Sequence, residues 1–129
     1  MIIWYVAIMI LFSLASFPRT SLAQTPPSGL RVSVTEIDFT ETAVGSQSPA
    51  HTITLSNPAQ SKIDLTQILT AGIDFSEKHD CAQVLDPRAL CTIQVFFKPA
   101  IPGPRNGSLV ITGSDPASPH FIALTGTGK

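Results

Sequence analysis

Two cysteines are the residues whose chemistry this sequence constrains most. Cys81 and Cys91 are ten positions apart and are the chain's two cysteines. Their spacing matches neither a Cys-x-x-Cys redox motif nor the ligand spacing of a zinc site. In an exported chain two thiols with no third competitor most simply pair, so we predict an intrachain disulfide. Free thiols and a bond to another chain are the alternatives.

The segment from Asp74 to Asp80 is the densest group of side chains that could bind a cation. It reads Asp-Phe-Ser-Glu-Lys-His-Asp, and calcium prefers several carboxylate and carbonyl oxygens. The segment lacks the alternating Asp/Asn spacing, the central glycine and the distal glutamate of a calcium loop, and it contains Lys78. We therefore interpret it as a solvated polar loop, with a weak calcium site as the alternative.

The remaining titratable and nucleophilic residues form no catalytic pattern. The candidates include the three histidines, three of the serines and three early carboxylates: His51, His79, His120, Ser46, Ser48, Ser56, Glu36, Asp38 and Glu41. The histidines are scattered, the serines lack a Gly-x-Ser-x-Gly context, and no cleft signal accompanies the carboxylates. We therefore predict a protein that is not an enzyme, with no catalytic residue, no bound metal and no cofactor.

The N-terminus predicts export. Ile2 to Ala15 is an apolar run of about fourteen residues, shorter than the roughly twenty that span a bilayer. Ser21-Leu22-Ala23 then places small residues where a signal peptidase cleaves. We predict a signal peptide over residues 1–23, cleaved between Ala23 and Gln24, and a secreted, periplasmic or cell-surface product of a bacterial envelope that has no membrane contact after cleavage. An uncleaved membrane anchor is the alternative.

The rest of the chain is long enough for one domain. Residues 24–29 predict a flexible Pro/Ser-rich spacer, and residues 30–129 a single folded unit. The whole chain of 129 residues has eight Lys/Arg and nine Asp/Glu, a net charge of −1, without a basic patch. This balance argues against nucleic acid as a partner.

Short alternating segments separated by Gly, Pro, Asn and Asp predict strands throughout that unit. The predicted strands are residues 30–34, 36–42, 51–56, 62–70, 91–97, 108–112 and 121–125, with a short extension at 73–75. In residues 91–97 the alternation places Cys91, Ile93, Val95 and Phe97 on one face. The fold class is therefore all-β, an immunoglobulin-like sandwich of about seven to eight strands.

Two glycine-containing motifs invite functional interpretations that turn chemistry explains better. Asn106-Gly107-Ser108 is a formal glycosylation acceptor. Residues 104–107 (Pro-Arg-Asn-Gly) nevertheless predict a turn that leads into the following strand. Gly126 and Gly128 predict strand-end geometry, because no helix follows to bind phosphate.

An ordered set of short motifs resembles the abnormal-spindle/hydin (ASH) group of immunoglobulin-like domains, known in bacteria as the choice-of-anchor D domain. The motifs are Phe39, Val44-Gly45-Ser46, Thr54-Leu55-Ser56-Asn57, Gly72-x-Asp74-Phe75, the cysteine pair, Val95-Phe96-Phe97-Lys98-Pro99, Gly103, Gly107-Ser108-Leu109-x-Ile111 and Leu124-Thr125-Gly126-Thr127-Gly128. The resemblance covers residues 30–128 and implies a sandwich of seven to eight strands without catalytic residues, often an accessory module of surface proteins.

These observations favour a non-catalytic module that binds a protein or an envelope polymer. A sheet edge can accept a partner strand, and residues Arg31 to Val34 are a candidate edge. A carbohydrate-binding accessory module is the alternative, for which Phe96 is the candidate contact because alternation points it away from Ile93 and Val95. Burial beneath another element is the structural explanation for Phe96. A small hydrolase or metalloenzyme lacks a supporting constellation.

Overall fold

Nine β-strands form the part of the chain that the computed structural model describes, residues 29–129. They are β1 (Arg31–Val32), β2 (Glu36–Thr42), β3 (His51–Ser56), β4 (Ile63–Ala71), β5 (Phe75–His79), β6 (Val84–Leu85), β7 (Leu90–Phe97), β8 (Gly103–Gly113) and β9 (His120–Gly128). The predicted all-β sandwich is confirmed, and β1 and β6 are pairings of only two residues. Residues 29–129 contain no helix suited to crossing a membrane. The predicted signal peptide, its cleavage site and residues 24–28 of the spacer lie outside the described residues.

The strands form two sheets, and the first two strands belong to different sheets. One sheet has four strands in the order β1-β3-β7-β5, and the other has five in the order β2-β9-β8-β4-β6. β1 pairs antiparallel with β3, whereas β2 pairs parallel with β9. The chain thus crosses from one sheet to the other between Val32 and Glu36. This crossing ties the start of the domain to both layers.

The predicted alternation places the core between the sheets. The fully buried residues of the four-stranded sheet include Ile53 and Leu55 of β3 and Ile93 and Val95 of β7. Burying one such side chain contributes about 1.5–3 kcal/mol. The fully or almost fully buried aliphatic residues of the facing sheet are Leu109, Ile111, Ile122 and Leu124.

An aromatic cluster packs against two glycines at one end of this core. The rings of Phe75 and Phe97 stack with centroids 5.0 Å apart, and Phe39 lies 5.7 Å from Phe97. A Cβ atom added at Gly126 would lie 2.6 Å from the Phe97 ring, and one at Gly107 would lie 2.6 Å from the Phe75 ring. The two glycines therefore let the rings approach the backbone of the opposite sheet.

The predicted turn at residues 104–107 is wrong. These residues belong to β8, which pairs with β9 from Gly103 opposite Gly128 to Ile111 opposite His120. Residues 104–107 are of types that favour turns, but they adopt an extended conformation because β9 supplies backbone partners along its whole length. Gly128 ends β9 as predicted, but Gly126 lies inside the strand, where its small size serves ring packing.

Replacing Gly126 by alanine tests whether packing outweighs backbone entropy. Gly126 has an ordinary strand conformation, so entropy alone predicts that Gly126→Ala stabilises by about 0.4–1 kcal/mol. The contact with Phe97 predicts the opposite sign, a loss of about 1–3 kcal/mol from overpacking. We expect the loss, measured by urea denaturation. Thr125→Ala, on the exposed face of β9, is the control and should change stability by less than about 1 kcal/mol. A stabilised Gly126→Ala variant contradicts the packing explanation.

Candidate functional site

A lateral groove opens on the side of the sandwich where β4 and β5 lie at the margins of their sheets. It consists of two adjoining depressions of about 300 Å³ and about 410 Å³. Both are lined by Leu65, Thr66 and Gln83. The other lining residues are Gln67, Ile68, His79, Cys81, Ala82, Asp64 and Val84. The groove offers hydroxyl, amide and imidazole groups beside the half-buried Ile68 and the buried Leu65.

The crossing segment, residues 81–84, forms one wall of the groove. The structure joins Cys81 to Cys91 with their Cα atoms 5.0 Å apart, so the predicted disulfide is present. Between the two cysteines the chain leaves β5, pairs as β6 with β4 of the other sheet and returns to β7. The Leu65 N–H donates to the Gln83 carbonyl at 2.7 Å, which is where the crossing segment meets β4.

The disulfide removes its sulfurs from metal chemistry. One ligand atom each from Asp80, Cys81 and Cys91 lies within 4.8 Å of the others. Metal binding by cysteine requires a thiolate, and both sulfurs are bonded to each other. The Asp80 carboxylate is then the remaining donor of this group.

Asn57 anchors the other side of the disulfide loop, a role that sequence reasoning missed. Its side chain is fully buried and donates from Nδ2 to the carbonyls of Ser61 and Leu85 at 2.8 and 2.9 Å. Its backbone N–H donates to the Ala89 carbonyl, and its carbonyl accepts from the Arg88 N–H. Asn57 therefore connects the β3–β4 turn to the end of β6 and to the residues that follow it. The Asn-Pro pair after β3 indicated only that the strand ends.

The predicted solvated loop at residues 74–80 is wrong, because most of it forms the edge strand β5. Phe75 is buried in the core, and β5 pairs with β7 over its full length. Asp74 and Asp80 flank opposite ends of this strand, about 20 Å apart along an extended chain. They do not converge as a calcium site would require.

Each flanking aspartate is satisfied by a different part of the fold. The Asp80 carboxylate accepts from the Thr92 N–H at 2.7 Å and from Thr92 Oγ1 at 3.1 Å, and these hydrogen bonds lower the pKa of Asp80. Asp74 is buried and accepts from the Ala100 N–H at 3.0 Å and from Arg105 Nε. Burial alone raises the pKa of Asp74, but the bonds from Arg105 and Ala100 and the Arg105 charge outweigh it, so the net pKa is lowered.

Two polar side chains of β5 point toward the core face of their sheet. Glu77 and His79 lie opposite Val95 and Ile93, which face inward. The Glu77 Oε2 and His79 Nδ1 atoms are 2.8 Å apart, and the two side chains are 17% and 31% exposed. Polar groups therefore occupy the place where apolar side chains would close the sheets. This arrangement keeps the groove open beside His79.

The structure disperses the other singled-out residues. The ring of His51 contacts Phe39 at a centroid distance of 4.7 Å, whereas His120 Nε2 lies 2.7 Å from Asp115 Oδ2. Asp115 is buried, and its Oδ1 has no hydrogen-bond partner among residues 29–129. Ser48 Oγ accepts from the Phe97 N–H, a structural role. The three early carboxylates, Glu36, Asp38 and Glu41, all belong to β2. Ser56 ends β3, and Ser46 lies in the β2–β3 connection.

Comparison with solved structures shows the fold. The ASH/PapD-like domain 7 of human CEP192 is 15% identical with a TM-score of 0.59, covering 89% of this chain and 95% of that domain. The periplasmic chaperone SfaE is 11% identical with a TM-score of 0.56, over 78% of this chain and 58% of the chaperone. The secreted serine protease VesC from Vibrio cholerae is 16% identical with a TM-score of 0.59 over 81% of this chain.

These likenesses establish an immunoglobulin-like sandwich of the PapD/ASH type. The chain spans only 24% of the length of the protease. No model of a protein family matches the sequence, and no curated protein does. At identities this low the likeness concerns architecture, and function has to be argued from the groove itself.

Breaking the disulfide should loosen the crossing segment. Closing a loop of about eleven residues contributes roughly 2–3 kcal/mol, so the Cys81→Ser/Cys91→Ser variant should lose about that much in urea denaturation. Amide exchange should accelerate most at Leu65, because its N–H donates to the Gln83 carbonyl of the loosened segment. Dithiothreitol should affect the native protein in the same way and leave the double variant unchanged. Equal stability of the two proteins contradicts the anchoring role.

The Asp74–Arg105 pair should make stability depend on pH in acid. Because the folded-state pKa of Asp74 lies below its ordinary value of 3.8, its contribution is complete well above that value and is lost as the pH falls through the folded pKa. Asp74→Asn should lose about 1–3 kcal/mol at pH 7. The stability difference from the native protein should shrink below about pH 4.

A matched substitution separates this effect from general acid denaturation. Asp64→Asn removes an exposed carboxylate of β4 and should change stability little at either pH. Urea denaturation at pH 7 and pH 3 measures both variants. A difference for Asp74→Asn that grows as the pH falls contradicts the assignment.

Proposed function

We propose that this chain is an exported, non-catalytic interaction module that binds a protein partner, or a polymer of the cell envelope, through the lateral groove. The observation that carries the proposal is the groove itself. It presents Thr66, Gln67, Gln83 and His79 beside the margin of β4. Such groups donate and accept hydrogen bonds, and an open groove suits a long partner better than an enclosed small molecule.

The construction of the groove supports recognition by a rigid surface. The disulfide holds the crossing segment at Cys81, and Asn57 holds the residues that follow it through the Leu85 carbonyl. A surface that is ordered before binding loses less conformational entropy when a partner docks. The groove therefore favours a contact whose geometry is set in advance.

The compartment is part of the same proposal. Disulfides form and persist in oxidising environments such as the periplasm and the cell exterior. The Cys81–Cys91 bond therefore supports the export that the apolar N-terminal segment predicts. The ordered motifs and the ASH-type sandwich support placing the chain in the choice-of-anchor D group.

The aromatic residues favour protein contact over the carbohydrate alternative. Phe96 is half-buried on β7, and Phe121 is 64% exposed on β9. These strands belong to different sheets, and both residues alternate with core-facing neighbours, so their side chains point away from the core on opposite sides of the sandwich. They do not form one platform for a sugar.

A groove variant tests the proposal. The purified protein, immobilised, is exposed to bacterial envelope extract, and retained proteins and polymers are identified. Thr66→Arg places a bulky charge between the two depressions, and Thr52→Arg makes the same change on the exposed face of β3. We expect a retained partner that Thr66→Arg loses and Thr52→Arg keeps.

Two results overturn the proposal. One is that every retained component survives Thr66→Arg. The other is a glycan-array signal that disappears in Phe96→Ala without a change in melting temperature, which establishes the carbohydrate alternative.

A further inference from the structure

We propose that the partner enters the groove as a single extended, uncharged polypeptide segment that pairs with the outer edge of β4 from Thr66 to Ala71. This inference rests on the proposed function and names the partner's chemistry. The backbone of the partner would continue the five-stranded sheet in line with β6. Its side chains on one face would contact Leu65 and Ile68.

The outer edge of β4 is paired over only part of its length. β6 pairs with Ile63 and Asp64, and Gln83 adds one bond to Leu65. The disulfide then draws the chain away toward β7. Among the described residues, the backbone hydrogen bonds of Thr66 to Ala71 are those of the ladder with β8. About six residues, or 20 Å of strand, thus have no strand partner on this side. The first three of them, Thr66 to Ile68, line the groove, whereas the Thr70 hydroxyl donates to the Phe75 carbonyl at the start of β5.

The sequence of this edge favours strand pairing. Thr66-Gln67-Ile68-Leu69-Thr70-Ala71 contains no charge, no proline and no glycine. Natural sheet edges avoid unwanted pairing through charges, bulges, prolines or short length. The edge has one such device, a register shift between Leu65 and Gln67, and it lies at the end next to β6.

The other sheet edges among residues 29–129 are shorter or better protected. On β3 only residues 51–53 lie beyond the contacts of β1, because the Ser33 N–H donates to the Thr54 carbonyl and Ser33 Oγ accepts from the Thr54 N–H. β2 has a register shift around Thr40, whose φ is 57°, and exposed carboxylates at Glu36, Asp38 and Glu41. β5 carries the inward-pointing Glu77–His79 pair. β1 and β6 pair over two residues each. The candidate edge Arg31–Val34 is thus at a sheet margin. Its strand, β1, is only two residues long, so it offers a partner far fewer backbone groups than the unpaired part of β4.

The surroundings favour one segment over a whole sheet. The space beside the outer edge of β4, which we call the lane, continues the position that β6 occupies in the sheet. Cys81 and Gln83 of the crossing segment form its outer wall. A strand needs about 4.8 Å of width in the plane of the sheet, which a single chain occupies without bringing neighbours. Ile68 and Leu65 offer apolar contact within the lane, so an uncharged segment with alternating apolar residues fits.

A defined peptide tests this assignment. The probe is a blocked heptapeptide that alternates threonine and valine, and the control peptide has proline at each valine position. We expect the probe, and not the control, to slow amide exchange at Thr66–Ala71 of the full chain. Gln67→Lys should weaken probe binding about tenfold, or about 1.4 kcal/mol. Gln47→Lys adds the same charge in the exposed β2–β3 connection and should leave binding unchanged.

The outcomes separate this inference from the proposed function. Protection that appears at β2 or β5, or no protection at all, overturns strand addition at β4. Protection that grows with protein concentration without peptide, together with a dimer in sedimentation, shows that a second copy occupies the edge and overturns the single-segment partner. If the captured partner is lost in Thr66→Arg but kept in Gln67→Lys, the groove function stands and the edge pairing falls.

Discussion

The change from an aromatic to polar side chains along the inner face of β5 shapes the whole side of the molecule. Phe75 begins the strand, stacks on Phe97 and packs against Gly107, so the two sheets close tightly there. Two and four residues later the same face carries Glu77 and His79, whose side chains contact each other and retain solvent contact. Polar groups resist burial in an apolar layer. The sheets therefore close at one end of β5 and leave the lateral groove at the other.

The crossing segment turns this opening into a defined surface. Without a constraint, the connection from β5 to β7 would be a surface loop, free to cover the groove or leave it. The disulfide fixes its beginning and end to the four-stranded sheet, and β6 and Asn57 hold its middle to β4 and the β3–β4 turn. The same bond that stabilises the loop keeps the chain from extending β6 along β4. The disulfide thus both stabilises the loop and leaves the outer edge of β4 unpaired.

The local pattern of the sequence predicts the parts of this fold whose partners are implied by alternation. Strands β2 and β3 have the predicted bounds, and the cysteine pair forms as expected. Residues 74–80 and 104–107 were predicted as loop and turn because their residue types favour turns locally. Both segments extend because β7 and β9 supply backbone partners from distant sequence. Asn57 is satisfied by Leu85, 28 positions away, and no local pattern encodes such a contact.

The groove likewise depends on contacts between residues that are distant in sequence. The edge of β4 shows how much the local sequence predicts. An uncharged run such as Thr66–Ala71 predicts a strand but does not say whether both of its edges are paired. That depends on where β6 ends, and therefore on Cys81. A neutral, exposed edge is an association hazard that sheet proteins ordinarily suppress. Here charged side chains protect the edges of β2 and β5, whereas the edge of β4 has only a register shift at one end, although one lysine at Gln67 would protect it. Because the guarded edges show that this chain can carry such protection, the free edge of β4 is best explained by a contact that needs it.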